Sequence, residues 1–85
     1  MAGYKLFIKP SAVKELEAIP EKDQSRIVYR IQGLADNPRP HGSEKLSGQD
    51  KYRLRQGRYR ILYQIFDEEV VVVVVKVAHR KKVYR

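Results

Sequence analysis

The chain contains no cysteine, which removes disulfide frameworks and thiolate chemistry together. Such usage suits a reducing cytosol, so the expected location is cytoplasmic. The two histidines, His41 and His79, lie far apart in the sequence and, without cysteine partners, make no closed zinc site by themselves. No glycine-rich phosphate loop follows a strand pattern, and the carboxylates show neither a Mg²⁺-binding spacing nor a paired-acid arrangement. The N-terminus MAGYKLFIKP lacks the apolar core of a signal peptide, and the longest apolar run, VVVVVV at 70–75, is far too short to cross a bilayer. With 85 residues the chain has room for one domain, 1–85, with a modest two-layer core and no deep pocket, which disfavours small-molecule metabolism. The expectation is a soluble intracellular domain that needs no cofactor and no metal.

Positive charge is what the chain has in abundance. Its 18 lysines and arginines against 10 carboxylates give a net charge of +8, divided as +2 over residues 1–42 and +6 over residues 43–85. The basic surface therefore belongs to the C-terminal half, and a domain of this kind usually meets nucleic acid or an acidic partner protein. A membrane surface is a poorer fit, because no basic amphipathic helix accompanies the charge.

The hydrophobic pattern reads as strand, two helices and three further strands. Residues 4–8 (YKLFI) alternate as a short strand. Ser11 is the expected N-cap of a helix carrying Val13, Leu16 and Ile19, and Pro20 separates it from a second helix with a stripe of Ile27, Val28, Ile31, Leu34 and Ala35. The segment 37–47 (NPRPHGSEKLS) reads as loop. Residues 51–76 then read as consecutive antiparallel strands, broken at Gln56-Gly57 and Asp67-Glu68-Glu69, and the valine run implies a central strand buried on both faces. The expected architecture is α+β, β-α-α-β-β-β, with the helix hairpin packed on an antiparallel four-stranded sheet.

Along a strand, side chains alternate between the two faces. Arg53 and Arg55 thus share one face, with Tyr52 and Leu54 on the other. After the turn Arg58 and Arg60 share a face, opposite Tyr59, Ile61, Tyr63 and Ile65. Like charges opposed across strands are destabilising, and folding gives no reason for them, so a polyanion accounts for the comb of arginines. A merely solubilising face would mix both signs, and this pattern shows no carboxylate among its arginines.

A cationic, aromatic site without metal suits transesterification of RNA, in which the ribose 2′-OH attacks the adjacent phosphate. The substrate brings the nucleophile, and the protein need only align the backbone, stabilise charge and assist proton movement. Arginine matches phosphate oxygens bidentately. Tyr84 could stack on a base or donate a proton, and His79 is of the one residue type whose ordinary pKa lies near neutrality. The duller alternatives are a solvated surface histidine and a packing tyrosine.

The succession Lys45-Leu46-Ser47-Gly48, Tyr52-Arg53-Leu54-Arg55, Gly57-Arg58-Tyr59-Arg60-Ile61-Leu62-Tyr63, the valine strand and His79-Arg80-Lys81-Lys82-Val83-Tyr84 resembles the RelE toxins of bacterial and archaeal toxin–antitoxin systems over essentially the whole chain. The resemblance implies a sheet with its first strand beside its last, cleavage of mRNA in the ribosomal A site, and silencing by a cognate acidic antitoxin. Carried over by position, its site falls on Arg53, Arg55, Arg60, Arg80 and Tyr84. The family's best-known pattern has lysines at the first two of these, one proposed as general base. Here both are arginine, a poor proton acceptor, so they are assigned to clamping phosphate and proton transfer passes to His79 or Tyr84. Lys45, Lys51, Arg58, Lys81 and Lys82 are assigned to diffuse RNA binding. Two other functions fit the same features: a ParE-like inhibitor of DNA gyrase that cleaves nothing, and an RNA-binding module without activity.

Overall fold

Alternating apolar residues in a short first segment make β1, Lys5–Ile8, and the chain then turns at once into α1, Pro10–Glu17, in the computed structural model, which describes residues 3–46 and 50–83. Proline occupies the first helical position, where its missing N–H is not needed, so the cap is Lys9 and not Ser11. The stripe that enters the core is Ala12 and Leu16, one turn apart, while Val13 is exposed. Pro20 caps α2, Glu21–Gly33, whose Ile27 and Ile31 are buried together with Leu34 just beyond its end.

The sheet departs from the expected form in strand number and direction. After α2 come β2, Ser43–Lys45, β3, Lys51–Gln56, β4, Tyr59–Phe66, and β5, Val71–His79, followed by a single helical turn, α3, Arg80–Val83. They form one five-stranded mixed sheet in the order β1-β5-β4-β3-β2. The α+β class stands and the first strand does lie beside the last. However, β1 runs parallel to β5, and β2 adds a short antiparallel edge strand inside the segment read as loop. Ser43–Lys45 has no strand propensity of its own; it is ordered by pairing with the open edge of β3.

Both helices cover one face of this sheet. Tyr52 and Leu54 of β3, Ile61, Tyr63 and Ile65 of β4, and Val72, Val74 and Val77 of β5 meet Ala12, Leu16, Ile27, Ile31 and Leu34 in a continuous core. The valine strand is buried fully on that face only, since Val71, Val73 and Val75 on the other side are half-buried. A β-bulge interrupts its pairing: Leu62 faces Lys76 but Tyr63 faces Val74, so Val75 is left over. The extra residue reverses the alternation beyond it, sending Val77 and His79 to the helix side and Ala78 to the open side. At the bulge α1 is pinned to β5, with the Val77 N–H donating to Glu15 Oε1 (2.9 Å) and Lys76 Nζ paired with Glu15 Oε2 (2.7 Å).

At the other end of the sheet, Arg39 forks onto Asp67, with Nη2 to Oδ2 at 2.8 Å, and its Nε donates to Tyr52 Oη at 3.2 Å. The Tyr4 hydroxyl donates to Asp67 Oδ1 (2.7 Å) and the buried Tyr63 hydroxyl to the Pro38 carbonyl (2.7 Å). These bonds hold the 37–40 segment against the β4–β5 turn and so fix where the following β2 begins.

That turn contains a strained residue. Val70 has φ +56 and is exposed, so it lies in the turn and not in the strand. A β-branched side chain in the left-handed region is disfavoured by roughly 1–2 kcal/mol. Val70→Gly is expected to stabilise the fold by about 1 kcal/mol, the glycine's own entropy offsetting part of the relief. A urea midpoint that rises with an unchanged slope would agree with this, and one that falls would show that the valine side chain contributes a contact outweighing its strain.

Candidate functional site

The hairpin between β3 and β4 closes through a two-residue turn in which Gly57 adopts φ +59, and Gln56 pairs with Tyr59. This register sets the arginines. Arg55 stands directly opposite Arg60, and Arg53 opposite Leu62, so Arg53, Arg55 and Arg60 share the sheet face opposite α1 and α2. Arg58 is not part of that row, because it sits in the turn and is exposed. Its carbonyl accepts the Arg80 N–H at 2.7 Å, which ties the start of α3 to the tip of the hairpin.

Arg60 differs from its neighbours in being only 6% exposed. A covered guanidinium has lost its rotamer freedom before any ligand arrives. The partner of Arg60 across β5 is Ala78, a small side chain that is itself buried. Arg80, one of the expected site arginines, is exposed at the first position of α3. Rigidity comes from being covered, and it is Arg60 that is covered.

Sequence reasoning missed a carboxylate in this cluster. Register pairs Glu44 of β2 with Arg53, and Glu44 Oε1 accepts from both Nη2 (2.7 Å) and Nε (3.2 Å) of that arginine. The Arg53 guanidinium, and then the charges of Arg55 and Arg60, hold the Glu44 carboxyl below the usual carboxylate range. The face therefore mixes signs, against the expectation of arginines alone. Nothing local in the sequence marks Glu44, since its segment had no strand signal to place it on a face.

The remaining expected residues divide. Lys51 has the same strand parity as Arg53 and Arg55 and lies further along that face, while Lys45 pairs with Tyr52 and points the other way from Glu44. His79 is not brought to the arginine face. Its ring packs edge-on against Tyr59 (5.6 Å between centroids) on the helix side, and its Nδ1 accepts the Lys81 N–H at 3.3 Å, capping α3. The bulge in β5 is the cause, since it moves His79 out of step with Arg60. Lys81 is exposed and the backbone of Lys82 lies in α3. Tyr84 lies outside the described residues. Among the described residues no group of three His, Cys, Asp or Glu is placed to hold a metal ion, and no helix is long and apolar enough to cross a membrane.

Three arginines and a carboxylate thus share one sheet face, a set of charges suited to a phosphodiester. Comparison with known proteins bears on which phosphodiester. Residues 6–84 match the family described as ParE toxin of type II toxin-antitoxin system, parDE. The chain is 30% identical to the mRNA interferase toxin RelE of Escherichia coli K12 over 83 residues, covering 94% of this chain and 86% of that one. It is also 30% identical to toxin RelG of Mycobacterium tuberculosis, covering 96% and 97% of the two chains. Among solved structures it resembles the archaeal RelE–RelB complex of Pyrococcus horikoshii, with a TM-score of 0.83, 28% identity and coverage of 93% of this chain and 97% of that one.

Proposed function

The chain belongs to the ParE toxin family of type II toxin–antitoxin systems, within the RelE/ParE superfamily, and on that premise we propose that it is an endonuclease acting on ribosome-bound mRNA. The observation that carries this reading is the convergence of Arg53, Arg55 and a buried Arg60 on one open face with Glu44 among them. A protein that inhibits by covering its target has no need of a phosphate-sized cluster whose central cation is immobilised.

In the proposed reaction the ribose 2′-oxygen attacks the adjacent phosphorus and the 5′-oxygen of the next nucleotide leaves, giving a 2′,3′-cyclic phosphate and a 5′-OH. Arg60 faces the non-bridging oxygens and stabilises the charge that grows on them. Arg53 and Arg55 position the backbone, Arg80 reaches the same phosphate from the hairpin tip, and Tyr84 stacks on a base or gives a proton to the leaving oxygen. Lys45, Lys51, Arg58, Lys81 and Lys82 add diffuse attraction.

Glu44 supplies the proton acceptor that the arginines cannot. In the free protein Arg53 holds its carboxyl low, but RNA phosphate competes for the same guanidinium fork. Once Arg53 turns to phosphate, the carboxylate loses its partner and gains an anion beside it, and both changes raise its pKa toward that of a useful base. Glu44→Gln is expected to slow the cleavage step about 10²-fold while ribosome binding holds or tightens, because a negative charge leaves the face. In the wild type the rate should fall as acid protonates Glu44, and this acid limb should be absent from the Gln variant. An unchanged pH profile in Glu44→Gln would take the base role from it. The fold also feels this pair: the stabilisation from the Glu44–Arg53 contact is present above the ordinary carboxylate range and is lost as pH falls through the depressed folded value.

A cognate antitoxin is the second proposed partner, supported by the RelB bound to the Pyrococcus RelE. An acidic segment laid over Arg53, Arg55 and Arg60 would inactivate by occupying the phosphate site. The ParE name of the matching family favours a rival reading, inhibition of DNA gyrase without cleavage. Primer extension on translated mRNA, run beside a gyrase supercoiling assay, separates the two. Discrete cleavages with unimpaired supercoiling support the nuclease, and the reverse outcome replaces it.

A further inference from the structure

The outer side of α2, across the sheet from the arginine cluster, carries an unneutralised row of cations. Lys22, Arg26 and Arg30 follow one another at i, i+4 and i+8, on a stripe that runs over roughly 12 Å from the exposed Lys22 and Arg26 to Arg30, which is half-buried with its Nε covered and lines both recesses described below. Like charges at this spacing destabilise a helix, and among the described residues none of the three belongs to an ion pair. Beside the row stands Tyr29, which is 77% exposed and is the most exposed large side chain among the described apolar and aromatic residues. Its ring separates two shallow recesses. One, about 390 Å³, is lined by Ser25, Arg26, Tyr29, Arg30 and Gln56, and the other, about 340 Å³, by Tyr29, Arg30, Gln32, Gly33, Asp36 and Pro40.

We propose that this face is a second RNA-binding surface, on which Tyr29 stacks an unpaired base of ribosomal RNA while Lys22, Arg26 and Arg30 follow its sugar–phosphate backbone. The inference rests on the ribosome-directed reading above and extends it to a separate face. Three cations over two helical turns match the spacing of two to three successive phosphates. An exposed ring flanked by guanidiniums is the combination that holds single-stranded nucleic acid. The recess with Arg26 and Gln56 takes the phosphate side. The recess with Asp36, whose carboxylate would repel a phosphate, takes the base edge, where an exocyclic amino group can donate to it. A peptide suits the face poorly, since Lys22, Ser25, Arg26 and Gln32 around the ring are exposed and polar and give no second apolar anchor.

Because the chain has no tryptophan, Tyr29→Trp makes a single indole reporter in it. Its emission should be quenched on titration with mRNA-programmed ribosomes. Tyr29→Ala should weaken ribosome affinity by roughly tenfold or more, and Tyr29→Phe should restore it, as stacking requires. Lys22→Gln with Arg26→Gln should reduce the slope of log affinity against log salt by about 1.4, at roughly 0.7 per single-strand phosphate contact. Ribosome affinity and emission unchanged in all these variants, with mRNA still cut, would overturn the surface and leave the nuclease intact. Absence of cleavage by the wild type with the quenching present would sink the nuclease and keep the surface. A blue shift that depends on protein concentration alone, or that appears only with the antitoxin, would assign the face to a second copy or to that protein and end the RNA proposal.

Discussion

Replacing Arg60 by methionine is expected to lower the single-turnover cleavage rate at saturating ribosome by on the order of 10²-fold or more, with ribosome affinity changed far less. The reason is the difference between a held charge and a mobile one. Arg60 lies opposite Arg55 and is almost fully covered, so in the proposed reaction its fork would be held before substrate binds and would cost little reordering in the transition state. Methionine keeps the length of the buried stem, and a thermal midpoint measured beside the rate separates lost catalysis from lost folding. Arg60→Lys should recover only part of the rate, because the charge returns without the planar fork. Arg58→Ala is the contrasting variant: exposed in the turn, Arg58 should contribute affinity and salt dependence with little change in the cleavage step. If Arg60→Met and Arg58→Ala lose rate and affinity in the same proportion, the buried arginine is merely part of a binding surface and the nuclease reading loses its main support.

A single 2′-deoxy substitution immediately 5′ of the cut should abolish cleavage at that bond while leaving ribosome binding intact. The attacking atom in the proposed reaction belongs to the substrate, so removing it leaves the protein with nothing to activate, however well Arg53, Arg55 and Arg60 hold the phosphate. A 2′-O-methyl group should have the same effect for a different reason, since the oxygen remains but has no proton to give to Glu44. On the unmodified message the products should end in 2′,3′-cyclic phosphate and 5′-OH. Cleavage of the deoxy substrate at the same bond would require water as nucleophile, and neither the roles of Arg60 and Glu44 nor the cyclic product would survive that result. The two experiments are independent, because the first varies the charge that stabilises the phosphorane and the second varies the nucleophile.

Much of this was legible in the residues alone. Period-two alternation in 51–66 is enough to put Arg53 and Arg55 on one face and the tyrosines and isoleucines on the other, because side-chain direction along a strand follows from backbone geometry alone. The helix pair and its apolar stripe follow in the same way from Ile27, Ile31 and Leu34, and the excess of positive charge after residue 42 marks the half that carries the arginine face. Tertiary structure decided the rest. Ser43–Lys45 is a strand only because β3 had an unpaired edge to offer, and that pairing, invisible in three residues of low propensity, carries Glu44 to Arg53. The extra residue at Val75 is likewise set by how β5 meets β4 and Glu15, and by reversing the alternation it sends His79 to Tyr59 and leaves Ala78 beside Arg60. Local pattern determines which way a side chain points along its own strand, whereas register between strands determines what it meets, and register is a property of the packed sheet.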